Sequence, residues 1–107
     1  MIAISGYDNT SETVRISAVT TTMTDNDFDL FIKGQTGAVV VNLPAVAAVQ
    51  PGRVYGIVKD AAAFTVTIDA FGSETINGAT TLVLASGAFH GSIIFNTGTE
   101  WVAKEIY

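Results

Sequence analysis

Apolar residues recur at every second position through most of this chain, the period a half-buried β-strand imposes. Val14, Ile16 and Ala18 alternate with Arg15 and Ser17. Phe28, Leu30 and Ile32 alternate with Asp29 and Phe31, and Val39, Val41 and Leu43 with Val40 and Asn42. Tyr55 and Ile57 alternate with Gly56 and Val58, and Phe64, Val66 and Ile68 with Thr65 and Thr67. Leu82 and Leu84 flank Val83. Two further strands are predicted over 89–95 and 101–107. The threonine, valine and isoleucine content of these runs suits a pleated surface.

The turns agree with the runs. Gly34-Gln35-Thr36-Gly37 separates two of them, and Pro51-Gly52 reads as a type II turn ahead of a strand over 53–59. Asn77-Gly78 is a strong two-residue hairpin signal, and Thr97-Gly98 marks a tight turn before Trp101. Helix is nearly absent. Residues 45–49 could form one turn after Pro44 and residues 60–63 another, both too short to stand alone. The predicted fold class is all-β: a single antiparallel β-sandwich or barrel-like domain over 16–107, preceded by an N-terminal arm or anchor over 1–15. Val40, Val58, Val83 and Ile94 fall on the second faces of their strands. This predicts that some strands are covered on both sides, the second cover coming from a neighbouring subunit or, in a monomer, from a second packed sheet.

Composition sharpens that expectation. The chain has 107 residues, 49% of them hydrophobic and only 14% charged. An ordinary soluble domain is about 25% charged. A chain of this length buries roughly 65% of its unfolded surface, enough for one core. The net charge of −5 leaves no basic surplus for phosphates or anionic lipids, so neither nucleic acid nor a membrane surface is an expected partner. Met1-Ile2-Ala3-Ile4-Ser5-Gly6 lacks the basic start and sustained apolar stretch of a targeting segment. The absence of cysteine excludes disulfides and thiolate metal sites within the chain, and no cofactor is expected.

Candidate chemistry is sparse. Asp25, Asp27 and Asp29 alternate as calcium ligands do, but the sixth position of such a loop is Leu30 and the twelfth Thr36. The required glycine and bidentate glutamate are missing. The run reads instead as a turn followed by a strand carrying Asp27 and Asp29 outward. His90 is the one histidine, and no Gly-x-Ser-x-Gly nucleophile turn accompanies it. Asp69 and Glu74 flank a turn and are the only nameable pair for acid–base work on a sugar. The expectation is no enzymatic activity and no catalytic or metal residue. Phe89, Phe95, Trp101 and Tyr107, late in the chain, are candidate subunit-contact aromatics. A ligand-binding alternative places Phe71, Asn77 and Trp101 at a sugar platform.

The ordered motifs carry a resemblance. Leu43-Pro44 closes one strand, Gly52 through Lys59 reads Gly-Arg-Val-Tyr-Gly-Ile-Val-Lys, and Thr65 to Ile68 reads Thr-Val-Thr-Ile. Gly72 to Gly78 reads Gly-Ser-Glu-Thr-Ile-Asn-Gly, and Gly98 to Trp101 reads Gly-Thr-Glu-Trp. Thr24-Asp25 and the alternating residues through Ile32 precede them. This set, covering residues 18–101, resembles a β-rich module of tailed-bacteriophage virion proteins, found in tail fibres, appendages, and head-decoration or head-fibre proteins. The chain departs from it at His90-Gly91-Ser92, where the family alternates polar and apolar residues. The resemblance implies a structural role on the virion surface, usually as a homotrimer, with no catalytic residues to transfer. One module with a short arm and no long shaft fits a capsid decoration (cement) or head-fibre protein. Its expected partners are itself and the major capsid protein or other virion proteins. The alternative is a glycan- or receptor-binding module of a tail fibre or appendage.

Overall fold

The computed structural model describes residues 13–60, 63–84 and 87–106. These residues form β1 (Thr13–Ser17), β2 (Thr21–Thr22), β3 (Asp27–Ile32), β4 (Val39–Asn42), β5 (Val54–Lys59), β6 (Val66–Asp69), β7 (Thr81–Leu84), β8 (Gly91–Asn96) and β9 (Trp101–Ile106). The turn predicted over 45–49 is a short 3₁₀ helix, Val46–Ala48. The turn predicted over 60–63 includes residues 61 and 62, which lie outside the described residues. Of the predicted arm, residues 13–15 already belong to β1, and residues 1–12 lie outside the described residues.

The domain is all-β, with two sheets packed as a sandwich. One sheet has the order β1-β3-β5-β8-β9 and the other β2-β4-β6-β7. Each sheet keeps two edges among the described residues, so neither closes into a barrel. The expected antiparallel arrangement is corrected: both sheets are mixed. Four pairings are parallel (β1 with β3, β3 with β5, β2 with β4, β4 with β6). Three are antiparallel (β5 with β8, β6 with β7, β8 with β9). The connections explain this. From β1 to β6 every link crosses to the other sheet, so neighbouring strands are two apart in sequence and run the same way. Alternation reports which side chains face a core; strand direction leaves no mark on it.

The inner faces meet in one core. Leu30, Ile32, Tyr55, Ile57, Ile94 and Trp101 come from the five-stranded sheet. Val39, Val41, Val66, Ile68 and Leu84 come from the other. Met23, Leu43, Val46, Val49 and Ile76 close the ends. The Tyr55 and Trp101 rings stack at 5.8 Å. Ile94, expected on a second face, is wholly buried here. Ser92 and Asn96 share its side of β8, and those polar residues disguised the core face. Ser92 Oγ donates to the Lys104 carbonyl at 3.1 Å, and the Asn96 amide donates to the carbonyls of Val46, Val49 and Gln50.

Side chains fix the crossings between sheets. Gln35, buried in the β3–β4 link, donates from Nε2 to the carbonyls of Gly37 and Thr65. Asn77-Gly78 makes the expected hairpin, with φ of 52° and 86°, values of the primed turn that Asn-Gly favours. A bulge in β3 has the largest consequence. Thr13 pairs with Asp27 and Val14 with Asp29, so Phe28 is an extra residue. One extra residue inverts the alternation. Asp27 is therefore buried, and the expectation that it lies outward beside Asp29 is corrected.

Candidate assembly face

The inner alternation leaves a second set of side chains on the outer face of the five-stranded sheet. Register places them in rows that run across the strands. One row is Val14, Asp29, Gly56, Ile93 and Lys104. A second begins Ile16, Phe31, Val58 and Gly91. A third contains Val54, Phe95 and Val102. Eight of these side chains are apolar, and two, Asp29 and Lys104, are charged. Val14 and Ile16 are about two-thirds exposed, at 66% and 64%, and Phe95 and Val102 are exposed too. Phe31, Val54, Val58 and Ile93 are half-buried by their neighbours.

Two glycines shape the face. A Cβ at Gly56 would collide with Asp29 Oδ1, so the Asp29 carboxylate leans over Gly56 toward the middle of the sheet. A Cβ at Gly91 would lie 2.6 Å from the Ile57 carbonyl oxygen and 2.8 Å from Val58 Cγ2. The result is a shallow trough of about 420 Å³ lined by Asp29, Phe31, Gly56, Val58 and Ile93. Its walls are apolar apart from the one carboxylate.

The densest ionic cluster lies elsewhere, inside the rim of the sandwich. Arg15 grips Asp27 at two points, Nε to Oδ1 and Nη2 to Oδ2, each 3.0 Å. The same guanidinium donates to Thr21 Oγ1 at 2.7 Å and to the Thr22 carbonyl at 3.1 Å. Burial pushes the Asp27 carboxyl up, but the Arg15 hydrogen bond, the Thr24 amide and the Arg15 charge together hold it below its usual value. Arg53 donates to Asp25 Oδ1 at 2.9 Å and to the Asp27 carbonyl, and its guanidinium carbon lies 5.0 Å from the Tyr55 ring centre. Burial raises the Tyr55 phenol to about 12, and its hydroxyl donates to the Thr24 carbonyl at 2.8 Å. These contacts hold the 20–27 segment to the sheets. The arrangement is a clasp.

The residues singled out from sequence scatter. Phe95 stands on the outer face of the five-stranded sheet. Phe89 is exposed in the turn before β8, at φ 60°. Trp101 is wholly buried against Tyr55, so its indole is offered neither to a neighbour nor to a sugar. Tyr107 lies outside the described residues. Asn77 spends its amide on the backbone of Ala103, donating to the carbonyl and accepting from the N–H. Phe71 is exposed at a groove of about 610 Å³ that includes Asn42, Pro44, Ala48 and Asp69. Glu74 accepts from the Val46 N–H at 2.9 Å, capping the 3₁₀ helix rather than facing a substrate. The His90 ring packs over Gly87. Among the described residues no group of three or more His, Cys, Asp or Glu side chains could hold a metal ion.

Sequence reasoning named Phe95 and Val58 from this face and missed Val14, Ile16, Phe31, Ile93, Asp29 and Lys104 as one surface. The signal was present: β5 and β8 are apolar at both parities. Only the register gathers those residues into rows. No family model and no curated protein matches the chain.

Proposed function

We propose that this chain is a non-enzymatic structural protein of a tailed-phage particle, a capsid decoration (cement) or head-fibre protein that assembles as a homotrimer. The observation that carries the self-assembly is the outer face of the five-stranded sheet, with eight apolar side chains across five strands. Strands about 4.8 Å apart and three rows of side chains give it a flat footprint on the order of 400 Å². That is the size of the largest apolar patch on an ordinary protein, a patch that is often functional. The virion assignment rests on the ordered motifs from Leu43-Pro44 to Trp101. On the particle surface the trimer would contact the major capsid protein or other virion proteins and tie capsomers together. Heating shells with and without the protein tests the cement role: decorated shells survive to higher temperature, and equal survival ends that reading.

A glycan- or receptor-binding role on a tail fibre or appendage has one observation in its favour. Phe71 stands exposed beside the polar side chains of Asn42 and Asp69 in the second groove. Retention on host-surface glycans that Phe71→Ala abolishes would favour it. No retention of the unaltered protein would remove it.

A further inference from the structure

We infer that copies of this chain meet through the outer face of the five-stranded sheet about a rotation axis parallel to its strands, with Asp29 of one copy paired to Lys104 of the next. The inference rests on the self-assembly reading above and specifies its geometry.

The charges lead to it. The chain has five cationic side chains: Arg15, Lys33, Arg53, Lys59 and Lys104. Arg15 pairs with Asp27, Lys33 with Asp60 and Arg53 with Asp25. Lys59 is buried and donates to the Phe64 carbonyl at 3.0 Å. The Lys104 ammonium alone has no ion-pair or hydrogen-bond partner among the described residues, and Lys104 stands on the apolar face. Asp29 likewise has no ion-pair partner among them, and its carboxylate leans over Gly56 toward the centre of that face. An apolar surface laid over this carboxylate would bury an uncompensated charge, which is strongly unfavourable. Whatever covers the face must bring a cation to Asp29 and an anion to Lys104. A second copy brings both.

Register sets the direction of the axis. Asp29 and Lys104 lie in one row, three strands apart, hence at one height along the strands. Rotation about an axis parallel to the strands preserves height and exchanges the two flanks of the sheet, so Asp29 of one copy comes to Lys104 of another. A twofold axis laid along the row would set Asp29 against Asp29. The relief agrees. Ile93 is a knob beside the Gly56 hollow, and Val58 a knob beside the Gly91 hollow, on adjacent strands. On a twofold axis parallel to the strands these knobs and hollows meet each other; on a threefold axis the neighbouring faces are heterologous and only the flanks that carry Asp29 and Lys104 touch. Closed rotational symmetry of this kind is the common outcome for soluble homo-oligomers. The homotrimer is the threefold case.

Cysteine cross-linking tests it in a chain that has no cysteine of its own. Within one chain the two positions are about 14 Å apart, three strand spacings. A short bis-maleimide reaches between thiols on sheets stacked about 10 Å apart but not across the span within one chain. The double variant Asp29→Cys, Lys104→Cys therefore cross-links only between copies. Treatment with this reagent is expected to convert it to a closed covalent oligomer, a trimer under the proposed assembly, while either single variant stays uncross-linked. A closed covalent dimer supports the pairing and replaces the threefold with a twofold. An assembled but uncross-linked protein, or an open ladder of products, overturns the pairing and leaves self-assembly standing. A protein that is monomeric by light scattering overturns both. Charge reversal gives an independent reading: Asp29→Lys weakens assembly at least tenfold, and adding Lys104→Asp restores it. No rescue by the second change contradicts the pairing.

Discussion

Arg15 and Asp27 form a two-point ion pair in which the aspartate is buried and the arginine one-third exposed. The pair joins β1 to the bulged start of β3, and through Thr21 and Thr22 it also holds β2, the short edge strand of the other sheet. The clasp spans both layers where neither has much apolar material.

Asp27→Asn is expected to cost about 2–3 kcal/mol at neutral pH, because it leaves Arg15 partly buried without its counter-ion. The carboxyl is held below its usual value in the folded state, so its contribution is complete above the unfolded value of about 3.9 and fades as pH falls through the folded value. Urea midpoints measured from pH 7 to pH 2 should show the two proteins converging at the acid end. A constant gap would show that the ionised carboxylate is not what stabilises.

Gly91→Ala is expected to destabilise more than Gly56→Ala. At Gly91 the added methyl meets the Ile57 carbonyl and Val58 Cα, which belong to strand backbone and cannot step aside. A cost of about 1–3 kcal/mol follows for such overpacking. At Gly56 it meets the Asp29 carboxylate, which can rotate. Thermal unfolding of both variants checks the order, and the reverse order would contradict it.

Asn96 holds the 3₁₀ segment to the β8–β9 hairpin. Its amide serves three carbonyls, and its Oδ1 accepts from the Gly98 N–H at 2.8 Å. Asn96→Asp removes the donor and sets an anion against those carbonyl oxygens. It should cost more than Asn96→Ala, itself expected at about 2–3 kcal/mol from buried groups left unpaired. Denaturant midpoints of the two variants decide this.

Tyr55→Phe deletes the hydrogen bond to the Thr24 carbonyl, worth about 1 kcal/mol. Because burial raises the phenol to about 12, the stabilisation is intact below the unfolded value near 10 and is lost as pH climbs toward 12. The difference between wild-type and variant ultraviolet titrations isolates this residue. A midpoint near 10 in the folded protein would contradict its burial.

Much of the sandwich was legible because the alternation is strong where strands are long. Phe28 to Ile32 and Tyr55 to Val58 announce β3 and β5, and the Asn77-Gly78 turn fell where it was expected. Three things were hidden for physical reasons. Two threonines make β2, too short to show a period. The bulge at Phe28 moves Asp27 inside, and a bulge leaves no mark on composition. Parallel pairing is a property of the links, which cross between layers at Gly34 to Gly37 where a hairpin would look the same. The candidate face was half legible. Val58 and Phe95 were visible as second-face or contact residues, while Asp29 and Lys104, 75 positions apart by their numbers, share a row only through three strand pairings.

The most direct test of the central claim is solution mass by light scattering, over a range of concentrations, for the wild-type protein and for Val58→Lys. The lysine places a charge in the trough and touches no core side chain. The expected result is a stable wild-type trimer and a Val58→Lys monomer with unchanged circular dichroism. A wild-type protein that stays monomeric at every concentration, or a variant that assembles as well as the parent, would contradict the account.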